Sequence, residues 1–191
     1  SLRSRKRRSV LTNAVEELKG LGQSVWYDNI RRGLIESGEL ERLIGLGVCG
    51  LTSNPTIFEK AIAAGADYDQ AILDLARRGK SAKDIYEELA VEDIRSAADL
   101  LRPVYDRTGG GDGYASLEVS PHLAHDTEGT VTEAKRLLDA LGRPNVMIKV
   151  PGTPEGIPAV RRLIGDGVNV NVTLLFSVAA YARVRDSYAA G

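Results

Sequence analysis

Short apolar runs rich in β-branched residues alternate along the chain with longer stretches whose apolar positions recur at helical spacing. The runs at residues 24–27, 48–52, 115–119, 145–150 and 168–174 predict five strands. Between the third and fourth, Val131, Ala134, Leu137, Leu138 and Leu141 fall on one helical face, and Gly142 is placed to end that helix. After Thr153, the residues Ile157, Val160, Leu163 and Ile164 mark a second amphipathic helix. Residues 60–104 read as two or three helices, broken near Gly65 and Gly79. Strand and helix in one continuous series predict an α/β fold of parallel strands joined by helical crossovers. Strands buried on both faces should be near-continuous apolar runs, and "NVMIKV" and "VNVNVTLLF" come close. The polar residues inside them therefore need a reason.

Those residues fall at or near the predicted strand ends. The first strand ends at Asp28, and the second runs into Asn54 just before Pro55. The third carries Glu118, the fourth Lys149, and the fifth Asn171 and Thr173. In a parallel α/β barrel, catalytic groups come from the C-terminal ends of several strands, so these side chains would meet at one mouth. Each also has a plain structural reading. Asp28 could cap a helix, Asn54 could make an Asx turn, Glu118 could pair with an arginine, and Asn171 and Thr173 could be satisfied core polars. Lys149 is harder to explain that way, because it stands between Ile148 and Val150 in a strand and lysine is almost never buried unless paired or functional. Burial disfavours an ammonium, and a neutral amine can attack a carbonyl. A lysine so placed reads as a Schiff-base former, a phosphate binder or a salt-bridge partner.

Composition narrows the field. The chain has 191 residues, 43% hydrophobic and 27% charged, which is enough for one substantial core. A net charge of −1 gives no argument for a nucleic-acid or anionic-membrane partner. The basic cluster Arg3, Arg5, Lys6, Arg7 and Arg8 defines a tail over residues 1–9, expected to be solvated and frayed, ahead of a folded unit over 10–191. No apolar run approaches the ~18 residues of a membrane span, and Glu16, Glu17 and Lys19 interrupt any signal-peptide core. The single cysteine, Cys49, fits a reducing compartment, and the cytoplasm is expected. It lies in an apolar run and reads as a small buried hydrophobe. His122 and His125 have no cysteine partners and read as structural or solvated rather than as metal ligands. The segment "TGGGDG" at 108–113 precedes a strand instead of following one, so it reads as a surface turn rather than a phosphate loop.

Five segments, in order, resemble the first five strand motifs of the transaldolase family. They are "SVWYDN" around Asp28, "GLTSNPTIFEKAI" around Asn54, "SLEVSPHLAHDTEGT" around Glu118, "NVMIKVPGTPEGI" around Lys149 and "VNVNVTLLFS" around Asn171 and Thr173. The style is similar to the longer bacterial transaldolases and to the transaldolase half of transaldolase–glucose-6-phosphate isomerase fusions. The resemblance implies a (β/α)8 TIM barrel of the class I aldolase type, with about its first five strands in this chain. It implies that Lys149 forms an imine with a ketose phosphate and that Asp28 is the general base for carbon–carbon cleavage. Glu118 and Thr173 would hold the water that shuttles protons, and Asn54 and Asn171 would bind the retained dihydroxyacetone unit. That unit would pass from sedoheptulose 7-phosphate or fructose 6-phosphate to an aldose phosphate, as in the pentose phosphate pathway. The resemblance implies no metal or organic cofactor, because the protonated imine is itself the electron sink. The implied partners are sugar phosphates, with a homodimer or a fusion to an isomerase domain also allowed.

A full barrel takes ~250 residues, or about 200 at the least. The chain is therefore expected to be a fragment, a truncated gene product or a domain completed elsewhere, with little or no activity alone. The serine and arginines with which the family's later strands grip the substrate phosphate have no counterpart motif here. Two other readings stay open: an aldolase-type lyase that releases dihydroxyacetone, and a non-catalytic barrel remnant.

Overall fold

The computed structural model describes residues 14–191. The basic cluster and the 1–9 tail lie outside the described residues. The elements run α1 (Ala14–Gly20), β1 (Trp26–Asp28), α2 (Arg32–Glu36), α3 (Glu39–Gly45), β2 (Gly50–Thr52), α4 (Pro55–Ala64), α5 (Asp69–Arg77) and α6 (Ala82–Arg107). Then come β3 (Tyr114–Glu118), α7 (Thr127–Leu141), β4 (Val146–Pro151), α8 (Gly156–Gly165), β5 (Val170–Thr173) and α9 (Val178–Ala190). All five strands are parallel and lie in chain order, β1-β2-β3-β4-β5. Each crossover advances by one strand, as in the opening part of an α/β barrel. No helix among the described residues is long and apolar enough to cross a membrane.

Every strand predicted from the pattern forms, with shifted ends. β1 starts at Trp26, two residues after Ser24, whose hydroxyl donates to the Asp112 carboxylate. The helical breaks fall at Gly65 and Gly79 as the spacing predicts, and α6 continues to Arg107. Ser81 and Asp84 form a reciprocal capping box at its start. Asp126 caps α7 by accepting the Gly129 N–H at 2.9 Å, and Gly142 ends it in the left-handed region with φ 56°.

Helix α2, only five residues long, has no side-chain cap of its own. The turn Ala66–Tyr68 supplies one from a distance. The Arg32 N–H donates to the Tyr68 hydroxyl at 2.9 Å, and the Gly33 N–H donates to the Asp67 carboxylate at 3.1 Å. The Tyr68 hydroxyl in turn donates to Asp93 at 2.7 Å, and Arg32 donates to the other Asp93 oxygen from Nε at 3.0 Å and Nη2 at 2.9 Å. Asp93 is 2% exposed, so this carboxylate from α6 ties down the segment that leaves β1.

The sheet has two unlike faces because strand side chains alternate. Leu51, Leu117, Ile148 and Val150 point outward and pack on Ile94 and Leu101 of α6, Val131 and Leu137 of α7, and Leu163 of α8. The inner face carries Trp26, Asp28, Thr52, Ser116, Glu118, Lys149, Asn171 and Thr173. At its N-terminal end the Trp26 ring lies over Gly50, where an added Cβ would stand 2.2 Å from the indole. The indole N–H donates to Asp112 at 3.3 Å. The 108–113 segment is the turn its position predicts, with positive φ at Gly109, Gly110 and Gly113, but the surface assignment fails at Asp112. That side chain is buried because it accepts from both Ser24 and Trp26. Cys49 is buried, and burial pushes its thiol up. His122 and His125 are exposed, and His125 meets Glu155 at 3.2 Å.

Candidate active site

Register assembles the site. β3 and β4 pair so that Glu118 stands beside Lys149; β4 and β5 pair so that Lys149 stands beside Asn171, with Thr173 two residues further on. Ile148 and Val150 are anchored in the outer core, and this turns the intervening Lys149 inward. Lys149 is 7% exposed. Its Nζ donates to the Ser53 carbonyl at 2.5 Å and lies 3.7 Å from Glu118 Oε2. Glu118 Oε1 accepts from the Thr173 hydroxyl at 3.4 Å. The next residue, Leu174, has φ 60°. This left-handed geometry is strained for a leucine, and it turns the chain sharply past Thr173.

A chain of polar groups runs from the lysine's level to one inner-face step below it. The Asn171 amide donates to the Ser116 hydroxyl at 3.4 Å, and that hydroxyl donates to Thr52 Oγ1 at 3.1 Å. The Ser53 hydroxyl donates to the Ser116 carbonyl at 2.8 Å, which holds the segment that presents the Ser53 carbonyl to Lys149. An amine, a carboxylate and a hydroxyl within reach of one another can exchange protons with a bound water or substrate.

Lys149, Glu118 and Thr173 are thus brought into contact, and Asn171 adjoins them in register. Asp28 and Asn54 are not in contact with them. Asp28 is exposed at the end of β1, three strands from Lys149 in the sheet order. It is level with Thr52 and Ser116, one inner-face step below Lys149. The Asn54 side-chain oxygen accepts the Ile57 N–H at 3.0 Å and caps α4 ahead of Pro55. This fulfils the turn-forming alternative and leaves its amide N–H groups without a hydrogen bond among the described residues.

Ser116 and Thr52 are polar members of this face that the strand-end reading overlooks. Counting back two residues from Glu118 and from Asn54 would have found them. The Ser53 carbonyl carries no sequence signal, because any residue supplies one.

Parallel strands in chain order, with polar groups gathered at their C-terminal ends, define the class as the opening part of an α/β barrel. The chain belongs to the Transaldolase/Fructose-6-phosphate aldolase family, whose sequence model matches residues 25–190. That family folds as a TIM barrel. The chain is 54% identical over 183 residues to the transaldolase of Trichodesmium erythraeum, covering 95% of this chain and 48% of that protein. It is 51% identical over 181 residues to transaldolase 2 of Nostoc punctiforme, covering 94% and 48%. It is 49% identical over 177 residues to the transaldolase of Neisseria gonorrhoeae, covering 93% and 50%. The chain spans about half the length of the curated relatives it matches.

Proposed function

We propose that the protein is a transaldolase that moves a dihydroxyacetone unit from a ketose phosphate to an aldose phosphate through a Schiff base on Lys149. The observation that carries this reading is the buried Lys149 amine on the inner face, 3.7 Å from a carboxylate that also accepts the Thr173 hydroxyl. The donor is sedoheptulose 7-phosphate or fructose 6-phosphate, and the reaction belongs to the pentose phosphate pathway in the cytoplasm. The names of the relatives support the substrate class.

In this reading the Lys149 amine attacks the donor ketone. Glu118 and Thr173 hold the water through which the carbinolamine loses its hydroxyl. The resulting protonated imine draws electrons from the bond to be broken. Asp28 takes the proton from the adjacent hydroxyl, and the aldose leaves while the three-carbon enamine stays on Lys149. Asn171 and the amide nitrogen of Asn54 hydrogen-bond its hydroxyls. Asp28 acts on the substrate and not on the lysine, which suits its place on a distant strand of the same face. Addition of the acceptor aldehyde and hydrolysis of the imine complete the cycle.

Borohydride trapping with fructose 6-phosphate tests the reading. The expected result is a mass increase confined to the peptide containing Lys149. Lys149→Ala abolishes it, and Asp28→Ala permits the imine but slows cleavage. An adduct that survives in Lys149→Ala refutes the assignment, and no adduct on a folded sample favours a non-catalytic barrel remnant. The matching family includes fructose-6-phosphate aldolases, so a lyase is the second reading. Release of dihydroxyacetone without an acceptor aldose would select it.

A further inference from the structure

Asp28, Thr52 and Ser116 stand level with one another across β1, β2 and β3. Asn171 reaches this row from the level of Lys149. Ser116 is fully buried, so its single hydroxyl proton needs an acceptor. Thr52 Oγ1, at 3.1 Å, is the acceptor that the Ser116 hydroxyl finds among the described residues. The Asn171 amide meets the same hydroxyl as a donor at 3.4 Å. The row therefore has a direction, from Asn171 to Ser116 to Thr52.

That direction decides what Thr52 can do. Its oxygen accepts from Ser116, so its own proton is not used within the row and has no acceptor among the described residues. The side chain is only partly buried. Its neighbour on the other side is Asp28, in register on β1. The Asp28 carboxylate is exposed and makes no hydrogen bond or ion pair among the described residues. An unused donor and an unused acceptor thus stand on adjacent strands, and no hydrogen bond joins them. A hydroxyl group bound between them would meet both, giving its proton to the carboxylate and accepting the threonine proton at its oxygen.

We propose that Thr52 is a further catalytic residue, whose hydroxyl donates to the oxygen of the substrate hydroxyl that Asp28 deprotonates. The inference rests on the Schiff-base reading of Lys149. When Asp28 takes the proton, the electron pair of the O–H bond forms the carbonyl of the leaving aldose. The pair from the broken carbon–carbon bond passes into the protonated imine and neutralises its nitrogen. Negative charge gathers on the oxygen as its proton leaves, and a donor already held in place stabilises it. Lys149 cannot be that donor, because its nitrogen is part of the imine. In the return step the Thr52 hydroxyl polarises the carbonyl of the acceptor aldose, and Asp28 gives the proton back to the new hydroxyl. The Thr52 proton itself is never transferred.

The test compares the parent 191-residue chain with Thr52→Val and Thr52→Ser, using fructose 6-phosphate. Valine keeps the shape and removes the donor, and serine keeps the donor. Borohydride trapping on Lys149 reads imine formation. Release of glyceraldehyde 3-phosphate in a single turnover reads carbon–carbon cleavage. The expected result is trapping at the parental rate in both variants, with aldehyde release at least about tenfold slower in Thr52→Val and largely restored in Thr52→Ser. A smaller loss in Thr52→Val, an equal loss in Thr52→Ser, or a parallel loss of trapping would overturn the proposal and leave the reading of Lys149 standing. A parent chain that traps no adduct, or traps one and releases no aldehyde, would overturn both.

Discussion

Glu118 and Lys149 hold paired positions on β3 and β4, with their charged ends 3.7 Å apart on the inner face. The outward neighbours Leu117, Val119, Ile148 and Val150 are buried and fix both backbones. Glu118→Gln keeps the shape and removes the charge. It is expected to destabilise the chain by about 1–3 kcal/mol in urea unfolding, because Lys149 loses its counter-ion. In the trapping assay it should slow adduct formation on Lys149 at least ~100-fold if Glu118 moves protons. An unchanged trapping rate would remove Glu118 from the proposed mechanism.

Gly50 is where the Trp26 indole crosses the sheet. An added Cβ would stand 2.2 Å from the ring, so Gly50→Ala must displace it. The expected cost is about 1–3 kcal/mol. Trp26 is the only tryptophan in the chain. The displacement should therefore appear directly as a red shift in tryptophan emission, and emission identical to the parent would contradict the packing.

Asp93 is a buried carboxylate with three donors from two side chains. Asp93→Asn leaves Arg32 without its inner partner, though Glu92 still contacts it at 2.6 Å. The expected loss is about 3 kcal/mol, at the lower end for a broken buried pair. Tyr68→Phe removes one hydrogen bond to Asp93 and one cap on α2, and is expected to cost about 1–3 kcal/mol. Urea midpoints check both, and a milder effect for Asp93→Asn than for Tyr68→Phe would reverse the assigned order.

Asp99 gives a pH signature. The Arg143 side chain donates to it and holds its carboxyl below the usual range. The contribution to stability is therefore present above the ordinary aspartate value of about 3.9 and lost as pH falls through the lower folded value. The Asp99 side chain is 52% exposed, so solvent screening keeps the effect under about 1 kcal/mol. Parent and Asp99→Asn should differ at neutral pH and converge in strong acid. A gap that widens on acidification would show that the pair does not act this way.

The strand series and the inward lysine were legible in the sequence because both follow from local alternation. An apolar run interrupted by one lysine leaves few places for it to point. The register that sets Glu118 beside Lys149 was not legible, since it depends on how two strands 31 positions apart slide against each other. Asn54 and Asp28 could be located at strand ends but not joined to the cluster, and the Asn54 side-chain oxygen is spent on α4. The union of Arg32, Tyr68 and Asp93 left no trace, because no short-range spacing encodes it. The buried role of Asp112 was hidden by the glycines around it.

The borrowed cap on α2 has a consequence for how the chain folds. A five-residue helix is too short to persist in water by itself. Its first N–H groups find their acceptors on Asp67 and Tyr68, more than thirty residues later in the chain. Closing that loop has an entropic cost before any contact compensates it. The first helix after β1 therefore consolidates only once the α4–α5 turn has arrived, although it emerges from the ribosome well before that turn does.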